Sequence, residues 1–126
     1  MALTVGILGA GRWGRVHIRT LTSLKAEGFV KQLFVCDTDA DKLSNLPSGV
    51  DATFSTWQEM VKENPVDLVA IVTPPETHCQ LSIELMTHGI DVLVEKPLGF
   101  SESQAAAVLA ASQSTGRSLS VGFLLR

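Results

Sequence analysis

The 126-residue chain is 45% hydrophobic and 18% charged, enough apolar material to bury a core and to form one globular domain. A net charge of −3, a pI near 5.5 and the scatter of its ten basic residues exclude the electrostatic footprint of a DNA- or RNA-binding protein. Uncharged runs are too short to span a bilayer and the amino terminus lacks the basic region and cleavage site of a signal peptide, so a cytoplasmic location is expected.

In chain order, Leu3 to Leu8 reads as a first strand and Arg12 to Glu27 as a helix with Trp13, His17, Leu21 and Leu24 on one face, stopped by Gly28. Leu33 to Cys36 is a second strand, Ala40 to Leu46 a short helix ended by Pro47 and Gly49, and Ala52 to Phe54 a brief third strand. Thr56 and Glu59 form a capping box for a helix to about Lys62, and Asn64 and Pro65 end it. Asp67 to Val72 is a continuous β-branched run, the pattern of a strand covered on both faces. Pro75 to His88 is helical and closed by Gly89, and Val92 to Val94 is a fifth strand. Ser101 and Gln104 cap an Ala-rich helix that stops at Gly116, and Leu119 to Leu125 is a sixth strand. Strands alternating with helices in this way predict a doubly wound α/β Rossmann-type fold with a mainly parallel six-stranded sheet.

Within this pattern, residues 9–14 read G-A-G-R-W-G and stand between the first strand and the first helix. Gly9 would permit the tight turn, Gly11 would let a pyrophosphate approach the backbone, and Gly14 would let helix and strand pack closely. The helix start offers N–H groups and a partial positive charge to phosphates, and Arg12 is placed to add its own. Trp13 belongs to the same turn and is counted among its cofactor-binding residues. Asp37, at the end of the second strand, stands where an acid hydrogen-bonds the adenosine ribose of a dinucleotide. The alternative is that it caps the next helix. Thr38, Asp39 and Asp41 beside it make the local field negative, with no arginine to receive a 2′-phosphate, so NAD is favoured over NADP, although Lys42 softens the preference.

Thr73 follows the fourth strand and would either cap the next helix or donate to a cofactor. His78, in the first turn of that helix, reads by itself as a structural histidine, as do His17 and His88. No two histidines pair with a carboxylate at metal-ligand spacing, so no metal is expected. Cys36 and Cys79 form no C-x-x-C motif and are expected to be reduced, buried and structural. The fifth strand delivers Glu95, Lys96 and Pro97 at its tip, at the sheet edge where ligands bind in this architecture. There Lys96 could bond a substrate hydroxyl and help move its proton while hydride passes to a nicotinamide. Pro97 would fix the turn that presents it. Taken alone, Lys96 reads rather as a solvated turn lysine beside a surface acid.

The ordered set G-A-G-R-W-G, Asp37, T-P-P-E-T-H, E-K-P and V-G-F-L-L-R resembles the amino-terminal domain of the glucose-fructose oxidoreductase, inositol dehydrogenase and MocA family over essentially the whole chain. E-K-P is its most specific element. The resemblance implies NAD(P)-dependent oxidation or reduction of a sugar, cyclitol or related polyol. It places Glu95 and Lys96 beside the nicotinamide and its ribose, with Lys96 catalytic. It places Thr73, Pro74 and His78 along the cofactor groove, and it makes a cis Lys96–Pro97 bond a common feature. Pro75 stands where relatives commonly carry Asn, and Leu124 follows Phe123 where they often have G-F-N; either change would remove a polar contact. Relatives also continue into a second α/β domain that supplies much of the substrate pocket, so residues 1–126 are expected to be a cofactor domain that binds the dinucleotide without useful turnover. The subunit contacts of relatives run largely through that second domain, so their dimer is not implied for this chain. Two other readings stay open: an NAD-binding sensor or partner module without catalysis, and a fold for S-adenosylmethionine or flavin. E-K-P argues against the second.

Overall fold

The computed structural model describes residues 2–122. The expected end of the sixth strand and the Leu124 departure lie outside the described residues. Six strands are hydrogen-bonded in the order β3-β2-β1-β4-β5-β6, and the chain divides into two compact units, residues 1–68 and 69–126.

In the first unit, β1 (Leu3–Leu8) and β2 (Val30–Cys36) run parallel with Gly6 opposite Phe34 and Leu8 opposite Cys36, and β3 (Ala52–Phe54) continues alongside β2. β1 is buried at five successive positions, as a strand covered on both faces must be. Helix α1 (Arg12–Ala26) packs on β1 and β2, and α2 (Trp57–Glu63) packs on β2 and β3. Val5, Ile7, Ile18, Leu33, Val35 and Met60 form the core, and Phe34 meets Phe54 edge to face with ring centroids 5.8 Å apart. The Thr56 hydroxyl accepts the Glu59 N–H and caps α2 as its sequence predicts. Asp51 ties three pieces together: one carboxylate oxygen accepts the Leu33 N–H at 2.8 Å and the Lys25 ammonium at 2.7 Å.

Three expectations are corrected here. The helix expected over Ala40 to Leu46 is a single 3-10 turn, Ala40–Leu43, because the Arg15 guanidinium donates to the carbonyls of Lys42 and Ser44 at 2.9 and 3.0 Å, and Asn45 adopts φ 57°. A helix through Leu46 would need the Lys42 carbonyl for its own ladder. β2 starts three residues before the expected Leu33, at Val30, through its pairing with Leu3. The deepest face of α1 is not the one through Trp13 and His17 but the one through Gly14 and Ile18. Glycine carries no hydropathy signal, so the periodicity points one residue to the side of the true contact.

The second unit contains β4 (Leu68–Ile71) from Val69 onward, a 3-10 turn at Pro75–Thr77, α3 (His78–Thr87), β5 (Asp91–Glu95), α4 (Glu102–Thr115) and β6 (Leu119–Gly122). The single helix expected over Pro75 to His88 therefore begins as a 3-10 turn, where Pro74 and Pro75 have no N–H to donate. β5 and β6 are parallel, with Glu95 opposite Gly122. α3 packs on β5 and α4, and Val69, Ile71, Leu85, Met86, Val92, Val94 and Val108 are all but inaccessible. Ser101 caps α4 by accepting the Gln104 N–H, the Gln104 side chain accepts the Phe100 N–H, and Gly116 closes the helix with φ 69°. Among the described residues no helix is long and apolar enough to cross a membrane.

Candidate functional site

The glycine turn of the first unit shows three glycines present for three different reasons. Gly9 has φ 105°, a conformation that side chains resist, and its N–H donates to the Cys36 carbonyl at 2.8 Å. Gly14 is demanded by packing: a Cβ there would lie 1.9 Å from the Gly9 carbonyl oxygen. Gly11 is demanded by neither. Its φ of −74° suits any residue, and a Cβ there would meet nothing within 4 Å. It is the N-cap of α1, with no side chain capping the N–H groups of the first turn and no acidic residue among them. Arg12 begins that turn, exposed, with its guanidinium carbon 5.4 Å from the Trp13 ring centroid, so the cation lies against the half-buried indole.

Asp37 is bound into the same turn. One carboxylate oxygen accepts the Ala10 N–H and the other the Asp39 N–H, both at 2.8 Å. The cap of the following 3-10 turn is Asp39, whose side chain accepts from Asp41, so Asp37 is not the helix cap. Each oxygen of Asp37 keeps a second lone pair with which to accept a hydroxyl. Gly9, Gly11, Arg12, Trp13, Gly14 and Asp37 are therefore brought together. Ala10 and Arg15 belong with them and were missed, since one acts through its backbone and the other through carbonyls some thirty residues on.

Burial pushes the Cys36 thiol at the end of β2 up to about 12, and the negative charges of Glu59 and Asp37 add to the effect. The thiol is therefore inert at neutral pH, buried as expected; Cys79 is half-buried. Among the described residues no group of three His, Cys, Asp or Glu side chains could hold a metal ion.

The second unit gathers Thr73, Pro74, His78 and the Glu95–Pro97 segment. Glu95 is buried while Lys96 is exposed, so the strand ends by sinking an acid and presenting a base. The Lys96 N–H donates to the Gly122 carbonyl at 2.9 Å, and the Lys96–Pro97 peptide is cis. The Thr77 hydroxyl donates to the Pro74 carbonyl at 2.6 Å. Because Thr77 has one hydroxyl proton, the Thr73 hydroxyl is the donor in the bond between the two side chains, and it can serve a ligand as an acceptor. His78 is 1% exposed, with Nδ1 2.7 Å from the Pro97 carbonyl oxygen and Nε2 2.9 Å from that of Thr73. Both ring nitrogens thus face the protein's own backbone.

A glycine turn from strand to helix, with an acid at the end of the next parallel strand, defines the dinucleotide-binding Rossmann class. Comparison with known proteins narrows the class. Residues 3–123 match the oxidoreductase family with an NAD-binding Rossmann fold, the Gfo/Idh/MocA family, and the chain belongs to it. Inositol 2-dehydrogenase 2 of Paenarthrobacter aurescens is 35% identical, covering 100% of this chain and 39% of that protein. The crystal structure of myo-inositol 2-dehydrogenase from Lactobacillus plantarum superposes with a TM-score of 0.83 at 28% identity, covering 97% of this chain and 36% of that one. GenD2 from gentamicin A biosynthesis, solved in complex with NAD, gives a TM-score of 0.81 at 31% identity over 96% of this chain and 34% of its own. The chain spans little more than a third of the length of these relatives.

Proposed function

We propose that this chain provides the cofactor side of an NAD-dependent dehydrogenase that oxidises or reduces a sugar, cyclitol or related polyol. Gly11 is the observation that carries the reading. Neither conformation nor packing requires a glycine there, so its missing side chain serves something that approaches from outside, at a helix start whose N–H groups suit a pyrophosphate. Arg12 adds positive charge at the same place. The second lone pairs of Asp37 accept the ribose hydroxyls, and the acids Asp39 and Asp41 disfavour a 2′-phosphate, which supports NAD over NADP.

When bound, the nicotinamide accepts or donates the hydride. Lys96, exposed at the end of β5, orients the substrate hydroxyl and takes its proton as the carbon is oxidised, or returns one in reduction. Glu95 and Thr73 serve the nicotinamide end. A polyol also has to be oriented on its far side, so the 126 residues alone bind the cofactor without useful turnover. The inositol dehydrogenases among the relatives make myo-inositol the first substrate to try. In the full-length protein, Lys96→Ala should lower kcat about a hundredfold or more while leaving the NAD dissociation constant within about twofold. Unchanged turnover in that variant, or tighter calorimetric binding of NADP than of NAD, would overturn the corresponding part of the proposal.

A further inference from the structure

His78 is an expensive residue to bury at the start of a helix. A polar ring in an apolar interior is unfavourable unless its nitrogens are partnered, and here each faces a backbone carbonyl, a group that can only accept. An aliphatic side chain would fill the space and withdraw the ring's N–H from these carbonyls. The two carbonyls are not equivalent. That of Thr73 lies 5 residues before His78 and belongs to the approach to its own helix. That of Pro97 lies 19 residues ahead, across the unit, in the residue that follows Lys96.

Lys96 is consequently held from both sides. Its own N–H is fixed on the Gly122 carbonyl of β6 at 2.9 Å, and the next carbonyl along the chain is fixed on His78 Nδ1 at 2.7 Å. Between those two anchors Lys96 is exposed, while Glu95, one residue earlier, is buried. We infer that His78 is a positioning residue for Lys96: its ring N–H sits on Nδ1, the shorter of the two contacts, clamps the Pro97 carbonyl and so sets the direction from which the ammonium is presented. The inference rests on the reading of Lys96 as the proton-handling group. It assigns His78 no contact with cofactor or substrate, because its ring is enclosed and both nitrogens are directed at the backbone.

Two amide substitutions separate the two anchors. The side-chain nitrogen of Asn reaches about as far as Nδ1 of histidine, and that of Gln about as far as Nε2, so His78→Asn keeps a donor for Pro97 and His78→Gln keeps one for Thr73. His78→Phe keeps the ring and neither donor. Amide hydrogen exchange at Lys96 and Leu98 is read in the full-length protein without substrate. Turnover of myo-inositol with NAD, and the NAD dissociation constant, are measured in parallel. His78→Asn should stay within about threefold of the parent in exchange and kcat, whereas His78→Gln and His78→Phe should raise exchange at Lys96 about tenfold and lower kcat about a hundredfold, with KM and NAD affinity within about threefold. A merely structural histidine would make the two amide variants equivalent, so equal exchange at Lys96 in Asn and Gln variants overturns the inference. That pair also decides the matter if the Phe variant fails to fold. Lys96→Ala is the separate control: retained turnover there sinks the reading of Lys96 itself, while lost turnover there with a fully active Gln variant sinks the role of His78 alone.

Discussion

The glycine turn of residues 9–14 and the Lys96 segment are both held rigid, but by opposite means. At the turn, geometry is set by missing side chains: Gly9 takes a conformation that others resist, and Gly14 lets its helix come within contact of the Gly9 carbonyl. Around Lys96, geometry is set by side chains that grip backbone: His78 on Pro97 and Thr73, and Thr77 on Pro74. The difference follows from what each place has to offer. On the proposed reading, a phosphate is bound by N–H groups and needs the backbone bare, whereas a proton-transfer group is itself a side chain and needs its backbone fixed behind it.

The comparison can be broken most directly at Gly14. Gly14→Ala should cost about 3 kcal/mol in urea unfolding, because the clash is with backbone that cannot turn aside; a variant as stable as the parent would mean that the turn is not packed as described. Gly11→Ser sharpens the contrast within the turn. Serine is a good N-cap and meets open space there, so stability should stay within about 0.5 kcal/mol. NAD affinity in calorimetry should nonetheless fall about tenfold, or about 1.4 kcal/mol. Equal affinity would mean that nothing approaches Gly11.

Cys36 lies behind the turn, its carbonyl bound to Gly9, and its effect appears only in alkali. Its folded-state value stands above the ordinary 9.0, so the protonated thiol contributes stability in full below 9.0, and that contribution is lost as the pH rises toward about 12. Urea midpoints of the native chain should fall over that window, and Cys36→Ala should flatten the decline. The smallest effect is expected at Lys25 and Asp51, a side-chain grip like that of His78 but wet. Burial works to raise the Asp51 carboxyl, but the Lys25 hydrogen bond, the Leu33 N–H and the Lys25 charge together hold it below 3.8. Its contribution is therefore present above 3.8 and fades as the pH falls below that value. Lys25→Ala should cost about 0.5 kcal/mol at pH 7 and less at pH 3, measured by thermal or urea unfolding.

Much of this was legible in the sequence wherever the signal is local. The first and third strands, the caps at Thr56 and Ser101, the stop at Gly116 and the turn at Gly9 each depend on neighbours a few residues away. What stayed hidden depends on backbone atoms far along the chain. Arg15 converts an expected helix into a 3-10 turn by taking carbonyls that no periodicity can assign to it. Gly14 shifts the buried face of α1 because closeness, not hydropathy, makes the contact. His78 reads in sequence either as a structural residue or as part of a cofactor groove, and only its two carbonyl partners reveal what it holds.

Asp37 fastens the glycine turn through the Ala10 N–H with the same carboxylate that would receive the adenosine ribose. Under the proposed preference for NAD, re-engineering the chain toward NADP would start by removing that acid. The change would also unlatch Ala10, so on the proposed reading cofactor choice and the order of the glycine turn travel together, and a redesign must supply a new acceptor for that N–H.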